Sequence, residues 1–197
     1  MKLEYFKDTI GIYPGALDQS LCNEMIEEFH KKRDSNVYEG FTLGGKNHKM
    51  KRTNELNLKN TGVTLYDEWV EIIEEVAIRL NKRYLKKFGH LEKFNALQVH
   101  GEGVYYPLWK IQEYKKNQGH YHAWHTEQNY SRNTCQRLMV SMFYLNDVYK
   151  GGETCFPLSD IEVTPEAGTL VTWPAGWPWV HNANVPISND KFIITSW

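Results

Sequence analysis

At 197 residues the chain is long enough for one domain with a sizeable core, and its 41% hydrophobic residues exclude an intrinsically disordered chain. A formal net charge of -1 gives no electrostatic reason to expect binding to nucleic acid or to an anionic membrane surface. No apolar run is long enough to cross a membrane, and the first residues lack the apolar segment of a secretion signal. Three cysteines without a framework spacing favour reduced thiols, and hence a cytoplasmic protein.

The first third of the chain predicts a short extended segment, a helix and a long irregular stretch. Residues 10–15 are typical of a strand, and Asp18 can cap a helix that runs to about Lys31. In residues 34–62 this pattern is replaced by Gly, Asn and Lys, which predicts a loop or irregular edge strands. A loop of this length in a compact domain is either a functional lid or disordered.

A second helix is predicted over residues 64–88. Its apolar side chains recur at helical spacing and Gly89 is a stop signal. The predicted buried stripe consists of Leu65, Trp69, Ile72, Ile73, Val76, Leu80 and Tyr84. We expect this helix to support a sheet and to take no part in chemistry.

After Gly89 the period becomes alternating, which indicates short strands separated by turns. The predicted strands cover residues 97–99, 108–114, 138–145, 168–173, 179–181 and 192–197. Helices first and strands afterwards predict an α+β fold with helices on one side of an antiparallel sandwich or barrel. We expect one domain over residues 1–197, with helical support in about 1–96 and a strand-rich core in about 97–197.

Two histidines and one carboxylate suggest a metal site. His125 and Glu127 are two residues apart, so on a strand they would share a face, and His181 follows far along the chain. Such a triad with open positions is typical of non-haem Fe(II) oxygenases. The motif His-x-Glu is weak evidence alone, but Lys191 follows His181 by ten residues and would place an ammonium deeper in the pocket to anchor a carboxylate. His120 and His122 have the opposite parity and are expected to face away.

Further motifs follow in order between Tyr114 and Trp197. They are Arg137, then FYLNDV at 143–148, GGETCFP at 151–157, PEAGTL at 165–170, and a closing segment with Pro186 and Thr195. Together with the triad, this stretch resembles the 2-oxoglutarate/Fe(II)-dependent dioxygenases, in particular the prolyl 4-hydroxylase-like branch. The resemblance covers a little under half of the chain.

The resemblance implies a double-stranded β-helix (jelly-roll) core and an enzyme that uses Fe(II), 2-oxoglutarate (2OG) and O2, with ascorbate possible. Fe(II) would be held by His125, Glu127 and His181, and Lys191 would pair with the far carboxylate of 2OG. The residues in the places of hydroxyl groups that contact this carboxylate are Tyr114, Tyr144 and Thr195. Arg137 and Trp197 fall where relatives contact the peptide substrate. This chain has His-x-Glu where the family usually has His-x-Asp, and the longer carboxylate still coordinates.

The function implied is hydroxylation of prolyl residues in a peptide or protein, with release of succinate and CO2. An alternative within the same chemistry is a free amino acid or other small-molecule substrate, because a fold does not choose between substrates. A non-catalytic jelly-roll binding module is a second alternative, although it has no need for Lys191 and Thr195 behind the metal. Nucleic-acid demethylation is a third, and the near-neutral charge counts against it.

Overall fold

The computed structural model describes residues 4–42, 44–89, 106–129 and 134–197. Within these ranges the helices are α1 (Gln19–Lys31) and α2 (Thr64–Lys87). The strands of the first half are β1 (Tyr5–Lys7), β2 (Ile10–Tyr13), β3 (Tyr38–Glu39), β4 (Lys51–Arg52) and β5 (Asn54–Asn57). Those of the second half are β6 (Lys110–Tyr114), β7 (His120–His125), β8 (Met139–Tyr144), β9 (Thr154–Phe156), β10 (Ile161–Val163), β11 (Leu170–Pro174), β12 (His181–Ala183) and β13 (Lys191–Ser196).

The strands of the described ranges form two antiparallel sheets. The larger has eight strands in the order β1-β2-β11-β8-β13-β6-β5-β3, and the smaller has five in the order β10-β9-β12-β7-β4. This arrangement confirms the predicted α+β class and the double-stranded β-helix. Neither described helix combines the length and the apolar character that a bilayer-spanning helix requires.

The two faces of the large sheet have different roles because side chains alternate along each strand. On one face, Phe143 and Ile194 pack with helix residues such as Phe29 and Ile73 in the main apolar core. Full burial of such a side chain stabilises the fold by about 1.5–3 kcal/mol. The other face turns residues such as Met142 toward the small sheet, where they enclose a cavity. The helices therefore stiffen the sheet from behind and leave its inner face for a site.

Both predicted helices are present, with two differences in detail. Asp18 stands at the N-cap of α1, but its side chain makes no capping hydrogen bond. Ile72, predicted in the buried stripe of α2, is 43% exposed, whereas Asn81 of the same helix is buried. The Asn81 side chain bonds Ser141 of β8 at 3.1 Å and Thr172 of β11 at 2.9 Å. These bonds fix the position of α2 on the sheet, so the helix supports the fold through polar as well as apolar contacts.

The first half supplies strands as well as supporting helices. Residues 34–62, for which a loop or irregular edge strands were expected, contain β3, β4 and β5. β2 pairs with β11, β5 pairs with β6, and β4 joins the small sheet beside β7. The strands at Lys51–Arg52 and Asn54–Asn57 are short and mostly polar, so they lack the alternation that reveals a strand. The strand predicted at 179–181 begins at His181 instead, and the one predicted at 97–99 lies outside the described residues.

Candidate metal centre and cosubstrate pocket

Two neighbouring strands of the small sheet bring the histidines together. His181 of β12 is the register partner of His125 of β7, and the two ring centroids are 4.3 Å apart. Glu127 does not lie on the strand as expected, because β7 ends at His125. The bend after β7 nevertheless returns its carboxylate to the same point, and one ligand atom from each of the three residues lies within 4.8 Å of the others. His120 and His122 stack on each other and lie outside this cluster.

The hydrogen bonds of the two imidazoles leave their other ring nitrogens free for a metal. Nδ1 of His125 lies 2.8 Å from the Ala123 carbonyl, and Nδ1 of His181 lies 3.0 Å from the Trp179 carbonyl. A carbonyl only accepts, so each Nδ1 carries a proton and Nε2 is the ring nitrogen that faces the other ligands. These Nε2 atoms lie 3.5 Å and 3.9 Å from the same carboxylate oxygen of Glu127. Two imidazole nitrogens and one carboxylate oxygen that converge in this way form a donor set that fits Fe(II).

Burial and charge keep these ligands in the protonation states that a metal requires. Desolvation lowers the pKa of His181 to about 4, so this ring is neutral at pH 7. Burial alone would raise the pKa of Glu127, but its contact with His125 and the charge of the Arg137 guanidinium act in the other direction, and the pKa is lowered to about 2. The site therefore presents a carboxylate and a neutral imidazole without any proton having to leave them.

Arg137 holds the second oxygen of the Glu127 carboxylate. Its Nη1 donates to Oε2 at 3.0 Å and to the backbone carbonyl of Glu127 at 3.2 Å. The guanidinium carbon also lies 3.7 Å from the ring centroid of Trp197. The resemblance implied that Arg137 and Trp197 contact substrate; in the structure the two side chains also contact each other, and Arg137 fixes the orientation of Glu127.

A cavity of about 370 Å³ extends from the three ligands to Lys191. Lys191 is fully buried, and its Nζ donates to the Gly152 carbonyl at 2.7 Å and lies 4.7 Å from the centroid of the Tyr114 ring. Desolvation lowers the pKa of Lys191 to about 7. Among the described residues no carboxylate lies at ion-pair distance from this ammonium, although the more distant charge of Glu153 acts to raise its pKa. The cavity thus has metal ligands at one place and an uncompensated cation at another.

The three hydroxyl residues expected near Lys191 differ in their surroundings. Tyr114 and Thr195 line the cavity. The Tyr144 hydroxyl instead contacts Thr154 Oγ1 at 2.8 Å and donates to the Val163 carbonyl at 3.1 Å. Thr154, which the sequence did not suggest, lines the cavity in its neighbourhood.

Sequence reasoning also missed a charged cluster between the two sheets. Glu55 is buried and accepts from Lys51, Lys110 and Gln112 at 2.5, 2.7 and 2.7 Å. All four residues line the cavity. The available signal was the alternation of polar Lys110 and Gln112 with apolar Ile111, which places polar side chains on one face of β6.

Residues 109–197, which contain all three ligands and Lys191, match the family model described as the 2OG-Fe(II) oxygenase superfamily. These residues belong to the 2OG-Fe(II) oxygenase superfamily. Fe(II), 2OG and O2 are accordingly the metal and the cosubstrates. Comparison with curated protein sequences gives no match.

Solved structures of this superfamily share the fold over nearly the whole chain. A viral collagen prolyl hydroxylase from Paramecium Bursaria Chlorella virus-1, solved with 2OG, is 17% identical with a TM-score of 0.67 over 96% of this chain and 95% of that one. A prolyl hydroxylase from Trichoplax adhaerens, in complex with a hypoxia inducible factor peptide fragment, is 13% identical with a TM-score of 0.70 over 96% and 83%. The alpha-ketoglutarate dependent epimerase SnoN from nogalamycin biosynthesis is 14% identical with a TM-score of 0.62 over 96% and 78%. At these identities the likeness shows the fold of the oxygenase.

Proposed function

We propose that this 2OG-Fe(II) oxygenase hydroxylates prolyl residues of a peptide or protein and releases succinate and CO2, with residues 1–197 acting as one domain. The supporting observation is that two imidazole Nε2 atoms and one carboxylate oxygen converge in the cavity that also holds the buried, uncompensated ammonium of Lys191. A non-catalytic binding module has no use for such a costly cation.

Each of the named residues has a defined task in this proposal. His125, Glu127 and His181 would hold Fe(II), which when bound with 2OG and O2 supplies oxidative decarboxylation coupled to hydroxylation of a C–H bond. Lys191 would bind the far carboxylate of 2OG by a charge-assisted hydrogen bond. The rings of Tyr114 and Tyr144 lie 4.7 Å and 5.7 Å from its Nζ, and Thr195 lines the same cavity; these hydroxyl residues would complete the 2OG site. Arg137 orients Glu127, as partners of metal ligands commonly do. Apolar walls such as Met142 and Trp173 exclude water from the reacting groups.

The prolyl substrate has narrower support than the reaction. Two of the fold relatives are prolyl hydroxylases, one of them bound to a peptide, and this supports a peptide or protein substrate. The epimerase among the relatives supports the alternative of a small-molecule substrate. Measuring succinate release with a panel of proline-containing peptides and free amino acids distinguishes the two substrate classes.

The His181→Ala variant tests the metal assignment. We expect it to lose Fe(II) binding under anaerobic conditions, measured by calorimetry, and to lose succinate release with proline-containing peptides, because two donors cannot hold the ion as three do. His122→Ala is the matched control, because His122 is exposed and lies outside the cluster.

Unchanged iron binding in His181→Ala would reject the ligand set. Hydroxylation of free amino acids but of no peptide by the unaltered protein would reject the prolyl peptide substrate while leaving the oxygenase reaction intact.

A further inference from the structure

Lys110, at the cavity wall, shares its carboxylate partner, Glu55, with a second lysine. Lys110 Nζ lies 2.7 Å from Glu55 Oε2, while Lys51 Nζ lies 2.5 Å from Glu55 Oε1. Thr53 and Gln112 also donate to Oε1, at 3.0 Å and 2.7 Å. Two ammonium groups and two neutral donors therefore share a single carboxylate.

The described residues that line the cavity carry a net positive charge. Among the described residues that line it, Lys51 is matched by Glu55, and Arg137 is matched by Glu127. Lys110 shares the Glu55 carboxylate with Lys51, and Lys191 has no carboxylate at ion-pair distance. Four cations therefore face two carboxylates, which leaves an excess of two positive charges. Fe(II) and the 2OG dianion carry opposite charges of equal size, so their binding leaves the same excess. In a partly desolvated cavity such an excess favours an anion and opposes a cation.

The position of Lys110 is that of a substrate contact rather than of a 2OG contact. Its Nζ lies 5.9 Å from the ring centroid of Trp197, the same ring on which Arg137 packs at 3.7 Å. Arg137 Nε is buried, and it has no hydrogen-bond partner among the described residues. Lys191, by contrast, lies against Tyr114 and Gly152. Donors around Trp197 are therefore available for a second anion.

We propose that Lys110 and Arg137, which both approach the Trp197 ring, form a carboxylate-binding subsite, so that the substrate carries a carboxylate close to the carbon that is hydroxylated. This inference rests on the proposed function and narrows its substrate class. The carboxylate belongs either to an acidic side chain beside the prolyl residue of a peptide or to a free carboxylic acid. In both cases an ammonium and a guanidinium N–H supply charge-assisted hydrogen bonds.

The test compares acids with their amides on the protein loaded anaerobically with Fe(II) and 2OG. The first pair is acetyl-glutamyl-prolyl-glycinamide and its glutaminyl counterpart, and the second is N-acetylproline and N-acetylprolinamide. Titration calorimetry should show that the acid of at least one pair binds about tenfold more tightly than its amide. A preference in the peptide pair alone assigns the carboxylate to a peptide side chain, and one in the acetylproline pair alone assigns it to a free acid.

Two substitutions locate the preference. Lys110→Met should abolish it, whereas Lys150→Met should keep it, because Lys150 is exposed and does not line the cavity. Glu55 retains Lys51, Thr53 and Gln112 in the first variant, and an unchanged unfolding midpoint checks this. If Lys110→Met does not fold, Lys110→Arg should retain the preference and Lys110→Gln should lose it.

Equal binding of acid and amide in both pairs, absence of binding by all four probes, or a preference that survives Lys110→Met would overturn the subsite. Succinate release with the same probes is scored separately. If the acid binds more tightly than its amide but no probe is hydroxylated, the prolyl reaction is contradicted and the subsite is retained. If acids and amides bind equally and are hydroxylated equally, the subsite is contradicted and the prolyl reaction is retained.

Discussion

Two buried lysines of the same cavity differ in what compensates their charge. Lys51 is 4% exposed and forms a 2.5 Å ion pair with Glu55, which also contacts Lys110 and Gln112. Lys191 is 0% exposed, and the hydrogen bond described for its Nζ goes to a backbone carbonyl. Both pKa values are lowered, by desolvation first, but only Lys51 has a carboxylate that acts in the other direction at hydrogen-bond distance.

This difference separates a structural cation from a ligand-binding one. A buried ammonium without a counter-charge costs free energy in the ligand-free protein, and an anionic ligand recovers that cost when it binds. The ion pair of Lys51 joins β4 of the small sheet to β5 of the large sheet, which is a structural task. Lys191 has no carboxylate at ion-pair distance among the described residues, and therefore its burial lowers the free energy of unfolding of the ligand-free protein.

Lys191→Met should have the largest effect and the clearest sign. We expect the dissociation constant for 2OG to increase ten- to a hundredfold, since loss of a charge-assisted hydrogen bond costs about 1.5–3 kcal/mol. Fe(II) affinity should change far less. The unfolding midpoint of the ligand-free protein should rise, because methionine needs no hydration. A fall in the midpoint together with unchanged 2OG affinity would assign Lys191 to the fold.

Lys51→Met should behave in the opposite way. We expect a loss of about 1–2 kcal/mol in the free energy of unfolding, the lower part of the range for an orphaned charged group, because Glu55 keeps three other donors. Denaturant titration measures this loss, and calorimetry should show 2OG affinity within about twofold of the unaltered protein. If 2OG affinity falls as far as in Lys191→Met, the distinction between the two lysines is wrong.

The pH dependence of 2OG binding sharpens the comparison further. Lys191 must be protonated to bind a carboxylate, and its pKa in the ligand-free protein is about 7. The dissociation constant should therefore rise by about eightfold between pH 6.5 and pH 8, the ratio of the protonated fractions at these values. Lys191→Met should show no such slope.

The same titration has a consequence for stability, whose sign follows from the two pKa values. The pKa is about 7 in the folded chain and 10.5 for an exposed lysine, so the unfolded state binds the proton more tightly. Stability of the ligand-free protein is accordingly lost as the pH falls from about 10 toward 7, and below 7 the loss is complete. Denaturation curves in this range, with Lys191→Met as the reference, measure it.

Much of the fold and the ligand triad was predictable because the signals were local. Helix α2 has a periodic apolar stripe, and β8 and β13 are short apolar-rich runs bounded by turn signals, so their existence and near-correct bounds followed from pattern alone. The identities of His125, Glu127, His181 and Lys191 came from motif spacing, and the structure brings these residues to one cavity.

The rest depended on long-range pairing that no local pattern records. Ile72 fitted the periodic stripe of α2, yet the burial of Asn81 shows that the helix turns a different edge toward the sheet. The strands at Lys51–Arg52 and Asn54–Asn57 are defined by their partners β7 and β6 rather than by their own residues. The bond from Arg137 to Glu127 spans ten residues and likewise depends on how the chain returns after β7.

The segment from β4 to β5 leaves the small sheet after Arg52 and enters the large sheet at Asn54, so one residue, Thr53, connects the two. Because the link is a single residue, the two sheets cannot separate at this corner unless the backbone hydrogen bonds of β4 or β5 break. Lys51 and Glu55, which flank Thr53, line the cavity and form an ion pair, so this part of the cavity wall is held both by the covalent chain and by charge.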